Sequence, residues 1–171
     1  IENLVNEFSD FARMPKPIFK NNDLIVLMKD NIKLLNELDT SINISLENNI
    51  EKMIFKSDRE QLGRVFFNLI KNSIESIHQK LEKVTNFNKN IAIELNDNDN
   101  HISLIINDTG IGFNNLNTNV KNILNPYFTT KKKGTGLGLS IVNKIINDHG
   151  GNIEFISKND GAKIRIIFLK Q

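Results

Sequence analysis

Cysteine is absent from the 171 residues, so disulfides and cysteine-zinc sites are excluded, and the composition suits a reducing compartment. An excess of one charge is also lacking. Lys and Arg total 22 against 20 Asp and Glu, a formal net charge of +2, which leaves no strongly basic face and makes nucleic acid an unexpected partner. The three histidines, His78, His101 and His149, are scattered, and none has metal-ligand spacing. No apolar run approaches the ~20 residues that cross a bilayer, and no signal-peptide pattern is present. The chain opens on Ile1 rather than methionine, so it is expected to be an excised piece of a longer protein, with any membrane segments in the remainder.

What is present sorts by period. Ile1, Leu4, Val5, Phe8, Phe11 and Ala12 fall at helical spacing, and Pro15 and Pro17 end that helix. A helix so short needs a partner for its apolar face. Leu24, Leu27, Met28, Ile32, Leu35 and Leu38 predict a second helix. Ile42, Ile44 and Leu46 alternate as in a half-buried strand, and Met53 to Phe55 reads as the next. Ser57 or Asp58 caps a long helix that runs to about Lys83. Ile91, Ile93 and Leu95 and the segment from His101 to Asn107 form a hairpin around the polar turn Asn96 to Asn100. Residues 109 to 136 are polar, glycine-bearing and long for a connection, the character of a functional lid, and 114 to 133 are poor in aliphatic anchors. A helix follows from about Leu137 to Asp148, stopped by Gly150 and Gly151. Ile153 to Ile156 and Ile164 to Leu169 make a closing hairpin. Strands and helices mix without regular βαβ units. This predicts an α+β two-layer sandwich, with helices on one face of a mostly antiparallel mixed sheet.

Three segments carry more chemistry than their folding requires. On the long helix, Leu62, Val65, Phe66, Leu69, Ser73 and Ile77 share a packing face, and Gln61, Asn68, Asn72, Glu75 and Gln79 line its edge. Asparagine is a poor mid-helix residue, so Asn68 and Asn72 one turn apart ask for a reason. Read alone they are a solvated edge; read chemically, their carbonyl oxygens suit Mg²⁺ and phosphate. At the end of a strand, Asp108-Thr109-Gly110-Ile111-Gly112 sets an acceptor-only carboxylate beside two glycines that allow positive φ or close approach to a flat ligand. An Asx-turn cap is the alternative there. Finally, Lys131, Lys132 and Lys133 run into Gly134-Thr135-Gly136-Leu137-Gly138 at the start of a helix, where exposed N–H groups and the helix dipole favour phosphate. No Gly-Lys-Ser/Thr follows, so this is not a P-loop, and the third glycine comes one residue too early for the dinucleotide pattern.

Taken in order, Asn68-Leu69-Ile70-Lys71-Asn72, Asp108 to Gly112, Asn125-Pro126-Tyr127-Phe128-Thr129-Thr130-Lys131 and Gly134 to Leu139 resemble the N, G1, F and G2 boxes of the histidine-kinase ATP-binding domain. The likeness covers roughly residues 18 to 171. Upstream, Phe8-Ser9-Asp10-Phe11-Ala12-Arg13-Met14-Pro15-Lys16-Pro17 resembles the NtrY type of nitrogen-regulation kinase, in which this string ends the second helix of the dimerisation and phosphoacceptor domain. The resemblance implies a boundary near residue 17 and the two-layer Bergerat-type fold. It implies ATP and Mg²⁺ as cofactors, with Asn72 as the Mg²⁺ ligand, Asn68 near the phosphates and Asp108 on the adenine amino group. Gly110, Gly112, Phe128, Lys131, Gly134, Thr135, Gly136, Leu137 and Gly138 would complete the nucleotide site, Phe128 as an anchor for the lid, and Asn68, Asn72 and Lys131 would be the catalytic set. The implied partners are the phosphoacceptor helical domain of the same kinase and a response-regulator receiver domain. The implied parent is a membrane-bound homodimer whose catalytic fragment is cytoplasmic.

Two features qualify the likeness. No histidine here lies in a phosphoacceptor context, so self-phosphorylation of this piece is not expected. Gly161-Ala162-Lys163 stands where other kinases carry Gly-Thr-Thr, although the NtrY type often has alanine there. Related ATPases of the gyrase, MutL and Hsp90 type place a general-base glutamate where this chain has Asn68, and an amide cannot take that proton at neutral pH. The chain is therefore expected to hold ATP for transfer, not to hydrolyse it. The competing readings are an anti-sigma-type serine kinase and a degenerate interaction module on the same fold.

Overall fold

The computed structural model describes residues 14–48, 50–113, 120–129 and 134–170. The expected string from Ile1 to Arg13 lies outside them, as do Lys131 and the rest of 130–133.

Among the described residues three helices cover one face of a five-stranded sheet. They are α1 (Leu24–Leu38), α2 (Arg59–Leu81) and α3 (Gly138–Asp148). The strands are β1 (Lys20–Asp23), β2 (Asn43–Asn48), β3 (Ile54–Ser57), β4 (Asn90–Asp97), β5 (His101–Asp108), β6 (Gly151–Ser157) and β7 (Ala162–Leu169). The large sheet has the order β2-β4-β5-β7-β6, parallel between β2 and β4 and antiparallel elsewhere. This is the expected α+β sandwich with a mostly antiparallel mixed sheet. Alternation explains its one-sidedness. Ile91, Ile93, Leu95, Ile102, Leu104, Ile106, Ile164, Ile166 and Phe168 are buried under the helices. On the other face Arg165 Nε donates to Glu154 at 3.0 Å and Asn107 Nδ2 to Glu94 at 3.3 Å. From the helices Leu24, Met28, Leu35, Leu62, Val65, Phe66, Leu69, Ile70 and Ile77 meet that apolar surface, each at most 1% exposed.

Three expectations need correction. The strand read at Met53–Phe55 is β3, Ile54–Ser57, and it leaves the main sheet to pair with β1. β1 reads Lys-Asn-Asn-Asp and shows no alternation. It forms because Asn22 Nδ2 donates to the Ser57 carbonyl at 2.7 Å and the Leu24 N–H to Met53 O at 2.9 Å. Leu38, assigned to the apolar face of α1, is 70% exposed, whereas Ile25 is buried in its place. Gln61, expected on a solvated edge, is buried, with Nε2 donating to Pro15 O at 2.9 Å.

That last contact is part of a junction where the segment preceding β1 meets α2 and α3. Asp58 caps α2 by accepting from Gln61 N–H at 3.0 Å, and its other oxygen accepts from Ile18 N–H at 2.8 Å. Burial pulls the Asp58 carboxyl upward, but the backbone N–H groups of Gln61, Ile18 and Glu60 outweigh it and hold it below its usual value. The Asp58 N–H donates to His149 Nε2 at 3.0 Å, while His149 Nδ1 is 2.8 Å from Ile145 O. Phe19 meets the imidazole edge-on at 5.1 Å. His149 is thus a neutral tautomer, proton on Nδ1, accepting at Nε2. Burial lowers its pKa from the usual 6.5, against Ile145 O and the charges of Asp58 and Asp148.

The sign of the pH effect follows. As pH falls through about 6.5 the unfolded imidazole takes up a proton that the folded one refuses, so His149 subtracts stability below that value until its own lowered pKa is reached. Thermal unfolding of the parent and of His149→Gln across pH 5 to 8 should show the variant losing less stability on acidification. Parallel curves would rule out His149 as the titrating group.

Candidate functional site

α2 is the element on which the site is assembled. Its core face packs on the sheet, and two polar stripes flank that face. Asn68 and Asn72 form one, both half-buried. The cost of a mid-helix asparagine is met locally at Asn68, whose Nδ2 donates to Arg64 O at 2.9 Å. That bond leaves Oδ1 turned outward, 3.8 Å from where a Cβ on Gly138 would lie. Asn68 therefore faces the start of α3. There Leu137 occupies the N-cap position, no side chain caps the helix, and an 11-residue α-helix begins. Its first-turn N–H groups are donors without a side-chain acceptor among the described residues, which is the elementary requirement for an anion site.

Ser73, Ser76 and Lys80 form the second stripe, and each holds the turn after β5. Ser73 Oγ donates to Asp108 Oδ2 at 3.0 Å, Ser76 Oγ accepts from Ile111 N–H at 3.1 Å, and Lys80 Nζ donates to Thr109 O at 2.9 Å. Lys80 also pairs with Asp160 and lies over the Phe87 ring at 4.4 Å. Asp108 is 3% exposed. Its Oδ1 accepts from Gly110 N–H at 2.9 Å and from Ala162 N–H at 3.3 Å. The first of these is the Asx turn, so the cap and the ligand readings of Asp108 coexist. With Ser73 on Oδ2, three of the roughly four acceptor positions of the carboxylate are taken, and one on Oδ2 remains. Burial drives the Asp108 pKa above its usual value, opposed by the Gly110 N–H, the Ser73 hydroxyl, the Ala162 N–H and the charge of Lys158.

The glycines of this turn serve the protein. A Cβ on Gly110 would lie 2.2 Å from Ser76 Oγ and 2.7 Å from its carbonyl carbon, so the turn sits directly on α2. Gly112 has φ +67°, and a Cβ there would lie 2.4 Å from Gly161 O. Gly112 thus takes the positive φ that the sequence allowed, and within the protein the close approaches of the turn are to Ser76 and Gly161. In the second loop Gly136, φ +71°, accepts from Tyr127 N–H at 3.0 Å, and a Cβ would reach 2.4 Å from the Tyr127 carbonyl carbon. The segment bearing half-buried Phe128 and the glycine loop therefore stack backbone on backbone. Tyr127 itself takes φ +66°, uncommon for a non-glycine residue. Gly134 is exposed, Thr135 is half-buried with Oγ1 3.4 Å from Leu137 N, and Leu137 is fully buried.

The long connection is less bare of anchors than its composition implied. It contains a 3₁₀ turn at Val120–Leu124, and Ile123 is 4% exposed. Residues 114–119 and Lys131 lie outside the described residues. Two surface hollows, about 480 Å³ beside Lys29 and Lys33 and about 370 Å³ beside His101 and Ser103, share no residue with this constellation. The site is defined by its donors and acceptors. Among the described residues no three His, Cys, Asp or Glu side chains converge as a metal site.

Residues 57–171 match the family of histidine kinase-, DNA gyrase B- and HSP90-like ATPases. The chain belongs to that family. Its nucleotide-binding fold places β5, α2 and α3 around the three motifs just described. The chain is 35% identical over 169 residues to an NtrY-like sensor histidine kinase of Rickettsia prowazekii, covering 98% of this chain and 27% of that protein. It is 33% identical to the nitrogen regulation protein NtrY of Azorhizobium caulinodans, covering 97% of this chain and 21% of that protein. The chain thus spans about a quarter of the length of the curated relatives it matches. Among solved structures, the catalytic domain of histidine kinase ThkA superposes with a TM-score of 0.73 at 27% identity, covering 90% of this chain and 96% of that one. Within the family, then, the chain corresponds to the ATP-binding catalytic domain of sensor histidine kinases.

The sequence places Ser73 on the packing face and does not single out Ser76 or Lys80, and it marks Gly161 only as part of the Gly161-Ala162-Lys163 string. The spacing of Ser73, Ser76 and Lys80 along one helical stripe was the available signal. Gly161 gives a direct test of how tightly the turn is held. A Cβ there would lie 1.7 Å from Asp108 O, at φ +84°. Gly161→Ala should lower unfolding stability by about 2 kcal/mol or more, beyond the usual cost of positive φ. A loss under about 1 kcal/mol in chemical denaturation would show that the β6–β7 turn can move away from Asp108.

Proposed function

We propose that this chain binds Mg·ATP and donates the γ-phosphoryl group to a histidine imidazole on the phosphoacceptor helical domain of the same kinase, for relay to an aspartate of a response regulator. The observation that carries the proposal is the joint placement on α2 of two unlike recognition ends. One is a buried carboxylate with an acceptor position left on Oδ2. The other is the Asn68 oxygen facing an uncapped helix start.

Each end fits one part of the nucleotide. Asp108 accepts from the exocyclic amino group of adenine. The first-turn N–H groups of α3 donate to phosphate oxygens with the helix dipole behind them. Asn72 would supply a carbonyl oxygen to Mg²⁺, a hard cation that takes few protein ligands when phosphates are present, and Asn68 would lie beside the phosphates. Bound Mg²⁺ supplies neutralisation of phosphate charge. Phe128 holds the segment over the loop of Gly134, Thr135, Gly136, Leu137 and Gly138, and Lys131, which ends the Phe-Thr-Thr-Lys string, adds positive charge. Transfer then rests on positioning: the acceptor imidazole is the nucleophile, its nitrogen forms the bond to the γ-phosphorus, and ADP leaves. Asn68, being an amide, provides no base for water, which favours transfer over hydrolysis.

The chain before about residue 17 is assigned to the end of the phosphoacceptor domain, and residues 18–171 to the catalytic domain. Support for the relay comes from relatives named as sensor histidine kinases and from a ThkA structure, of the same fold, solved in complex with a response regulator. The parent is proposed to be a membrane-bound homodimer with this part in the cytoplasm. Among the described residues no helix is long and apolar enough to cross a membrane.

Calorimetric titration with a non-hydrolysable ATP analogue should show Mg²⁺-dependent binding, weakened more than tenfold by Asp108→Ala, the loss of about 1.5–3 kcal/mol expected for a hydrogen bond to a charged group. Unchanged affinity would reduce Asp108 to a turn cap. With radiolabelled ATP the chain alone should acquire no acid-labile label, and an added intact phosphoacceptor hairpin should be labelled weakly, since no tether raises its effective concentration. Brisk ATP turnover by the chain alone would favour a gyrase-like ATPase instead.

A further inference from the structure

The Ser73 hydroxyl has no role in the function above, yet its placement is specific. It sits inside α2, 2% exposed, and a serine there commonly turns its hydroxyl to the carbonyl one turn back. Ser73 instead spends its single proton across the helix–sheet boundary, on Asp108 Oδ2 at 3.0 Å. Oδ1 is held by two backbone N–H groups, from Gly110 and Ala162. Ser73 is thus the one side chain among the described residues that grips the oxygen left with a spare acceptor position. Ala162, whose N–H reaches Oδ1, has only a methyl side chain to offer.

Resting on the nucleotide reading, we propose that Ser73 is a positioning residue for adenine recognition: by donating to Oδ2 it fixes the plane of the Asp108 carboxylate so that the remaining Oδ2 lone pair is available to the base. A carboxylate held only at Oδ1 can still rotate about its Cβ–Cγ bond, a soft torsion for aspartate. Anchoring both oxygens removes that freedom before the ligand arrives, so less ordering is needed on binding. The bond also stabilises the ionised form in a buried place. The charges around it are Lys158 in the turn between β6 and β7, and Lys80 of α2, which is engaged by Thr109 O and Asp160. Ser73 does not touch the reacting atoms; it acts through Asp108.

The consequence has two readouts. Ser73→Ala should weaken binding of the ATP analogue about five- to tenfold at neutral pH, less than Asp108→Ala, because Ser73 acts through the carboxylate and makes no bond to the base itself. It should also raise the pH below which affinity is lost, because Asp108 then keeps its proton to higher pH. Ser73→Thr, which retains the hydroxyl, should restore both. The experiment is calorimetry with the analogue and Mg²⁺ from pH 5 to 8 on the parent and the variants, with apo thermal unfolding alongside. Lower thermal stability with unchanged affinity and an unchanged pH midpoint would make Ser73 a packing residue and overturn the inference. Should Ser73→Ala fail to fold, Ser73→Cys, similar in bulk and a weak donor, should show the same weakening and the same shift of midpoint. Parent-like values in it would equally overturn the inference. If the parent itself binds no analogue, the nucleotide reading fails; if the parent binds and the variants match it, only the role of Ser73 fails.

Discussion

Everything in the site depends on α2 burying one face on the sheet. Leu62, Val65, Phe66, Leu69, Ile70 and Ile77 are at most fractionally exposed, so the roll of the helix about its axis is set by the core. Burying several large apolar side chains is worth on the order of 10 kcal/mol before conformational entropy is subtracted, far more than any single polar contact in the site. With the roll set, residues on the flanks have no choice of direction. Asn68 is turned to the start of α3, and Ser73, Ser76 and Lys80 to the turn after β5. One helix thereby brings into register the two ends of the proposed nucleotide site, one for phosphate and one for the base.

In the Asp108 turn, close packing is what would make the proposed recognition possible. Its backbone is confined between Ser76 on one side and Gly161 on the other, too near for any Cβ at Gly110, Gly112 or Gly161. A carboxylate on a loose turn would be solvated and would gain little from a base amino group. Held by Ser73 and by two N–H groups, it is desolvated yet satisfied, which is the state in which one further hydrogen bond discriminates. The same desolvation pushes its pKa up, so the donors around it do two jobs: they fix geometry and they keep the charge.

At the other end of α2, Asp58 joins three parts of the chain through one carboxylate and one N–H: the helix start at Gln61, the preceding segment at Ile18, and α3 through His149. The segment entering the domain is therefore bonded to the same helix that carries Asn68 and Asn72.

The elements were largely legible in the amino-acid order, because each has a period of its own. Alternating isoleucines wrote β4, β5 and β7, the spacing of Leu62, Val65, Phe66, Leu69 and Ile77 wrote α2, and Asp58 marked its start. The asparagine, aspartate and glycine motifs, taken in order, were likewise enough for the family through their resemblance to the histidine-kinase boxes. What the order of residues left open was every relation across the chain. β1 has no pattern and exists through its pairing with β3. Gln61 looked like an edge residue until Pro15 O was found beside it. Ser73 looked like core, and only the approach of β5 showed that its hydroxyl meets Asp108 from 35 positions away. Local periodicity is written residue by residue. A hydrogen bond between distant segments depends on where the buried faces come to rest, and the packed tertiary structure decided that.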